Sequence, residues 1–233
     1  MKVKICGTTN LEDALMAQRA GVDFIGMLVD VPFSERSLSL KEAMHIAAEL
    51  DAPVVAVLYG MPIYQIVELD RKLRPYAVQL MDDSPPKRVR ILSRMIRAEV
   101  WKSLFLPPVS TANHGGRRAE VIGETVGRMA KDVLRYAEAG VKAFLIDTFT
   151  PTRRGGSGRR HDWRITAELI KRVEAPIFLS GGITPENVAE AIQLVNPYGI
   201  DLCSGVEIKP GKRDPVKLRR LLDMIYPLTT NPS

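Results

Sequence analysis

Eight apolar, β-branched-rich runs alternate with eight segments of helical length, and this strict alternation predicts an α/β fold, a single-domain (β/α)8 TIM barrel. Two further observations support that class. At 233 residues, 45% of them hydrophobic and 26% charged, the chain is long enough for one large core and suits one barrel better than two small domains. Near its end, two glycine signatures, LSGGITPENVAEAI (Leu179–Ile192) and GIDLCSGVE (Gly199–Glu207), each stand where an apolar strand gives way to a helix. The last two loops of such barrels frequently bind phosphate.

In chain order, strands are expected at Val3–Cys6, Phe24–Val29, Pro53–Tyr59, Ala77–Met81, Val100–Leu106, Ala143–Thr148, Ile177–Gly181 and Ile200–Ser204, all short apolar runs. Helices are expected at Leu11–Ala20, Leu40–Leu50, Ile63–Leu73, Pro86–Arg97, Thr125–Ala139, Ile165–Arg172, Pro185–Leu194 and Pro215–Ile225. Thr184 followed by Pro185, and Asp214 followed by Pro215, each place a capping residue before proline at the first helical position. Gly21 and Gly140 fall just past helices, where a left-handed residue closes the last turn. The domain is expected to span 1–233, with a loop insertion at about 107–124 and a substrate lid at about 149–162.

A net charge of +6 and arginine pairs at Arg117-Arg118, Arg153-Arg154, Arg159-Arg160 and Arg219-Arg220 invite a nucleic-acid reading. The pairs are scattered among 27 acidic residues, and the 6% of aromatic residues form no stacking pattern, so no nucleic-acid partner is expected. A modest positive charge suits an enzyme that gathers a small, multiply charged anion. No apolar run approaches the roughly 20 residues that cross a bilayer, and Met1–Cys6 enters a strand pattern directly, so no membrane partner and a cytoplasmic location are expected. Cys6 and Cys203 are the only cysteines, too few for a disulfide framework and without metal-site spacing.

Reactive groups of a barrel sit at the C-terminal ends of its strands. There, Cys6 and Asp147 stand out. Period-two alternation puts Lys4 and Cys6 on one face of the first strand and Leu145 and Asp147 on one face of the sixth. With the more apolar faces packed on the helices, Cys6 and Asp147 point into the barrel mouth. A thiolate that takes a proton, a carboxylic acid that gives one, and a phosphate cup together fit the isomerisation of an aldose phosphate to a ketose. That chemistry needs the cysteine pulled down toward neutrality and the aspartic acid pushed up, with Lys4 a candidate for stabilising the thiolate.

Lys4-Ile5-Cys6-Gly7-Thr8-Thr9-Asn10, Ser34-x-Arg36-x-x-Ser39, Val78-Gln79-Leu80, Leu145-Ile146-Asp147-Thr148, Gly155-Gly156-Ser157-Gly158 with Asp162-Trp163, and both glycine signatures stand in this order along the chain. By these motifs the chain resembles the phosphoribosylanthranilate isomerase family of tryptophan biosynthesis. The resemblance runs from the first strand to the eighth. It implies a (β/α)8 barrel with no cofactor or metal, with Cys6 as general base and Asp147 as general acid of an Amadori rearrangement. The substrate would be N-(5-phosphoribosyl)anthranilate and the product 1-(o-carboxyphenylamino)-1-deoxyribulose 5-phosphate. By the same resemblance Arg36 addresses the anthranilate end and Asp201 lies near the sugar. Gly156, Ser157, Gly181, Gly182, Cys203, Ser204 and Gly205 surround the phosphate. Three positions depart from the family pattern: Met81 stands where QLHG has histidine, Glu35 where proline precedes the arginine, and Cys203 where the loop has serine. The alternatives are a paralogous barrel enzyme acting on another phosphorylated sugar derivative and a non-catalytic sugar-phosphate-binding protein. The chain is expected to work as a monomer or homodimer.

Overall fold

The computed structural model describes residues 1–108, 118–150, 153–154 and 158–229. Eight parallel strands form the barrel: β1 (Lys2–Ile5), β2 (Phe24–Val29), β3 (Val54–Leu58), β4 (Ala77–Leu80), β5 (Glu99–Leu106), β6 (Val141–Thr150), β7 (Ile177–Leu179) and β8 (Gly199–Leu202). Each pairs with the next in the order of the chain, and β1 pairs with both β2 and β8, which closes the sheet. The closing register sets Lys4 beside Asp201 and Ile5 beside Leu202.

Helices α1 (Leu11–Arg19), α2 (Leu40–Ala47), α3 (Ile63–Leu73), α4 (Pro86–Met95), α5 (Arg118–Glu138), α6 (Trp163–Ile170), α7 (Val188–Val195) and α8 (Pro215–Thr229) follow the eight strands in turn. Local chemistry sets their starts. The Asn10 side chain accepts from the Asp13 amide, and Ser39 and Glu42 exchange bonds in a capping box. Asp214 caps the first turn of α8 by accepting from the amides of Val216 and Lys217.

Three starts differ from the sequence expectation; that of α6, at Trp163 rather than Ile165, is set by Asp162, whose side chain accepts from the Arg164 amide. Helix α5 begins at Arg118 rather than Thr125, so the loop expected over 107–124 is helical in its last part. Gly123 and Gly127 lie within that helix, where an added Cβ would meet nothing within 4 Å. Their helix cost of about 1 kcal/mol each is offset by burial of Val126 and Met129. Helix α7 begins at Val188, not Pro185. The Asn187 side chain accepts from the Thr184 amide and donates to the Gly182 carbonyl, holding 185–187 as a turn.

Alternation along the strands divides the buried residues into two sets. Val3, Ile5, Ile25, Met27, Phe144 and Ile146 pack outward with the helices. Cys6, Phe24, Val55, Trp101, Leu145 and Phe178 pack inside the barrel. Near the N-terminal end, Phe24, Trp101 and Phe178 approach with ring centroids 5.0, 5.1 and 6.1 Å apart. These rings fill the lower barrel, and a pocket lies toward the C-terminal ends of the strands. A short strand, Ser37–Leu38, extends the sheet beside β2, and Glu207–Lys209 and Lys212–Arg213 form a small hairpin after β8. The end of β6 pairs antiparallel with Arg153–Arg154. No helix among the described residues is long and apolar enough to cross a membrane.

Candidate active site

A pocket opens at the C-terminal mouth of the barrel and encloses about 870 Å³, its open entrance included. The ends of β1, β6 and β8 place Cys6, Asp147 and Asp201 on its wall. Loop residues Phe33, Arg36 and Met81 close one side, and Gly181, Gly182, Ser204 and Gly205 the other. The sequence-predicted groups on described residues therefore converge from strands separated widely along the chain. Gly156 and Ser157 lie outside the described residues, as does part of the expected lid.

Lys4 and Asp201 form the electrostatic floor. The Lys4 ammonium is fully buried and donates to Asp201 Oδ1 at 2.8 Å. Burial acts to lower its pKa, but the Asp201 carboxylate and the Cys6 sulfur beside it outweigh burial and hold it above the ordinary lysine range. Ser180 donates to Asp201 Oδ2 at 3.2 Å and also lies within hydrogen-bond reach of Asp147. Ser180 was not singled out in the sequence; its place directly before the glycine pair was the available signal.

Burial pushes the Asp147 carboxyl up to about 7; the Thr148 amide, donating at 2.6 Å, opposes the rise and the Asp201 carboxylate adds to it. The carboxyl therefore carries a proton in a large fraction of molecules near neutrality, as expected. The expectation for Cys6 is reversed. Burial raises its thiol above the ordinary value of 9.0, and Lys4, although in contact, only partly offsets that rise. The thiol sits inside the barrel at 8% exposure, so desolvation of the thiolate, reinforced by the Asp201 carboxylate, exceeds the attraction of Lys4 and Arg213. Cys203 is likewise pushed up by burial, to about 12.

The opposite wall is shaped by backbone. Gly181 and Gly182 have φ of 86° and 67°, and a Cβ on Gly205 would stand 1.9 Å from the Ile183 carbonyl oxygen. Only glycine at 205 lets the β7 and β8 loops touch in this way. The 158–160 segment joins them: a Cβ on Gly182 would meet the Arg159 carbonyl carbon at 2.7 Å. Three loops thus meet at one side of the mouth, with small residues and backbone presented to a ligand.

On the other side, Arg36 is 7% exposed and bound side-on by Glu207, with Nε to Oε1 at 2.9 Å and a terminal nitrogen to Oε2 at 2.5 Å. Gln79 lines the pocket and donates to Ser103 Oγ at 3.0 Å, while its buried Oε1 accepts no protein hydrogen bond. Met81 is buried on this wall. No cluster of His, Cys, Asp and Glu among the described residues could hold a metal ion.

Residues 123–224 match the family model for N-(5'-phosphoribosyl)anthranilate (PRA) isomerase. The chain is 37% identical over 226 residues to the N-(5'-phosphoribosyl)anthranilate isomerase of Methanocella arvoryzae, covering 96% of this chain and 97% of the relative. It is 37% identical over 216 residues to that of Methanopyrus kandleri, covering 92% and 94%. Among solved structures, phosphoribosyl anthranilate isomerase from Thermotoga maritima superposes with a TM-score of 0.78 at 30% identity, over 96% of this chain and 98% of that one. A phosphoribosyl anthranilate isomerase in complex with reduced 1-(o-carboxyphenylamino)-1-deoxyribulose 5-phosphate superposes with a TM-score of 0.74 at 30% identity, over 96% and 97%. With full-length similarity above 30% and the same barrel, the chain belongs to the N-(5'-phosphoribosyl)anthranilate isomerase family.

Proposed function

We propose that this protein isomerises N-(5'-phosphoribosyl)anthranilate to 1-(o-carboxyphenylamino)-1-deoxyribulose 5-phosphate, with Asp147 as general acid and Cys6 as general base. The observation that carries the reading is the convergence of a carboxyl raised to about 7 and a thiol beside a buried ammonium on one pocket wall. Asp147 gives its proton to the ribose ring oxygen, and the ring opens to a Schiff base between C1′ and the anthranilate nitrogen. Cys6 as thiolate then removes the C2′ proton, and the electron pair moves to give an enolamine, which tautomerises to the ketose.

Lys4 lowers the cost of forming the thiolate, and Asp201 holds Lys4 in place while facing the sugar. The phosphate binds among Gly181, Gly182, Cys203, Ser204 and Gly205, joined by Gly156 and Ser157. Backbone that approaches an anion without intervening side chains supports this placement. Arg36 receives the anthranilate carboxylate, for which its planar, permanently charged fork is suited. The enzyme works in the cytoplasm as a monomer or homodimer, without a cofactor.

The test is a fluorescence assay in which the substrate is generated in situ from anthranilate and phosphoribosyl pyrophosphate by a transferase, and its loss is followed on adding this protein. Turnover on the order of 1 s⁻¹ or faster is expected. Absence of turnover from a folded sample that binds ribose 5-phosphate contradicts the proposal.

A further inference from the structure

Behind Arg36 lies a cluster of buried charges that the acid, the base and the phosphate loops leave unexplained. Glu207 and Arg213 are partners across the hairpin that follows β8, and they are 5% and 1% exposed. Both Glu207 oxygens bind Arg36, and Oε1 also accepts from Arg213 at 3.3 Å and from the Gly211 amide at 3.1 Å. Arg213 reaches onward to the carbonyls of Cys203, at 3.2 Å, and Cys6. Its own amide is held by Asp13 of α1 at 2.7 Å.

Two cations and one anion leave one net positive charge, and Arg36 is the member that lines the pocket. Burying three charges is a poor way to add stability, because desolvation consumes most of the Coulomb gain. What the arrangement does supply is direction. An arginine side chain has many rotamers, whereas a side-on carboxylate fixes the plane of its fork. The path is further confined at Gly7, where a Cβ would stand 2.6 Å from Arg36 Cδ.

We infer that Glu207 is a positioning residue, which orients Arg36 toward the carboxylate-bearing end of the substrate while Arg213 anchors Glu207 and ties it to the backbone carbonyl of Cys6. Glu207 acts through Arg36 and does not touch the substrate. The inference rests on the isomerase function proposed above.

Glu207→Gln in the full chain keeps the shape and removes the charge. Its expected signature is a KM for N-(5'-phosphoribosyl)anthranilate raised about tenfold or more, with kcat within about threefold, the scale of one charge-assisted hydrogen bond. Affinity for ribose 5-phosphate, which carries no aryl carboxylate, should stay within about twofold, because that ligand makes no contact through Arg36. In an Arg36→Met background the same substitution should raise KM by less than about twofold, since the two residues then act as one unit. Glu207→Asp, which keeps the charge and so the fold, should give a smaller rise in KM and supplies the comparison if the Gln variant does not fold.

The assignment is overturned by an unchanged KM, by ribose 5-phosphate affinity falling in parallel with KM, or by independent, additive effects of the two substitutions. An inactive wild-type chain contradicts the isomerase function itself. An active wild type with an unmoved Glu207→Gln contradicts only the role of Glu207.

Discussion

Asp147 and Cys6 are expected to divide the pH dependence of catalysis between them in a way that removing the carboxyl exposes. With its carboxyl pushed up to about 7, Asp147 is protonated in about half of the molecules at pH 7, from the definition of pKa; an aspartic acid at its ordinary 3.8 would be protonated in about one in 1,600. Cys6, raised above 9.0, is thiolate in at most about 1% of molecules at that pH. The productive form has the proton on Asp147 and none on Cys6, so it is a minority of the pair. Below about pH 7 its fraction climbs roughly tenfold per pH unit, since thiolate is gained while the carboxyl stays protonated. Above that, each loss of the Asp147 proton offsets each gain of thiolate, and kcat/KM levels off until Cys6 itself is ionised. Asp147→Asn should lower turnover by about 10²-fold or more, the scale of a lost general acid. It should also erase the break near pH 7, so that residual activity keeps climbing with pH until the thiol ionises. Steady-state kcat/KM from about pH 5 to 10 by substrate fluorescence measures both profiles. A wild-type break at the ordinary aspartate value, or a break near 7 that survives in Asp147→Asn, refutes the assignment.

Other outcomes follow from the buried groups. Lys4→Met strands the Asp201 carboxylate 5% exposed, and equilibrium urea unfolding should show a loss of about 3–5 kcal/mol; retention of wild-type stability contradicts the floor described for the pocket. Gly205→Ala drives a Cβ into the Ile183 carbonyl, so calorimetry should find ribose 5-phosphate binding weakened by about tenfold or more, and unaltered binding would place the phosphate elsewhere. His161, at 1% exposure between Thr148 and Thr166, is held neutral because burial pulls its pKa down to about 4. Its depressed value makes stability fall as pH drops through 6.5 toward 4, by up to about 3 kcal/mol. Thermal unfolding of His161→Gln between pH 7 and 4 should lose less than wild type over the same range; equal losses would remove His161 as a source of acid sensitivity.

How much of this was readable beforehand depends on whether the deciding physics is local. The strands were legible because barrel strands are buried on both faces and read as short apolar runs, and the period-two step from Lys4 to Cys6 correctly separated the inner face from the outer. Helix starts set by local caps, as at Asp214, were legible too. The start of α7 was not, since Asn187 ties back to Gly182 and Thr184 through bonds that a cap-and-proline pattern does not reveal. The direction of the Cys6 shift was misread because sequence shows the neighbouring lysine but not the depth of burial that outweighs it. Glu207 and Arg213 were missed as a functional pair for a related reason. Charged residues after a strand read as solvent-facing, and only the hairpin folded over α1 encloses them. Gly156 and Ser157, expected from the resemblance to lie at the phosphate, fall outside the described residues.

The most direct test of the central claim compares wild type with Cys6→Ala on in situ generated N-(5'-phosphoribosyl)anthranilate, at matched folding by circular dichroism and matched affinity for ribose 5-phosphate. The account predicts wild-type turnover on the order of 1 s⁻¹ or faster, and a loss of at least about 10²-fold on removing the thiol. Turnover by Cys6→Ala within about threefold of wild type would contradict it, because a base that contributes to C2′ proton removal cannot be deleted at so small a cost.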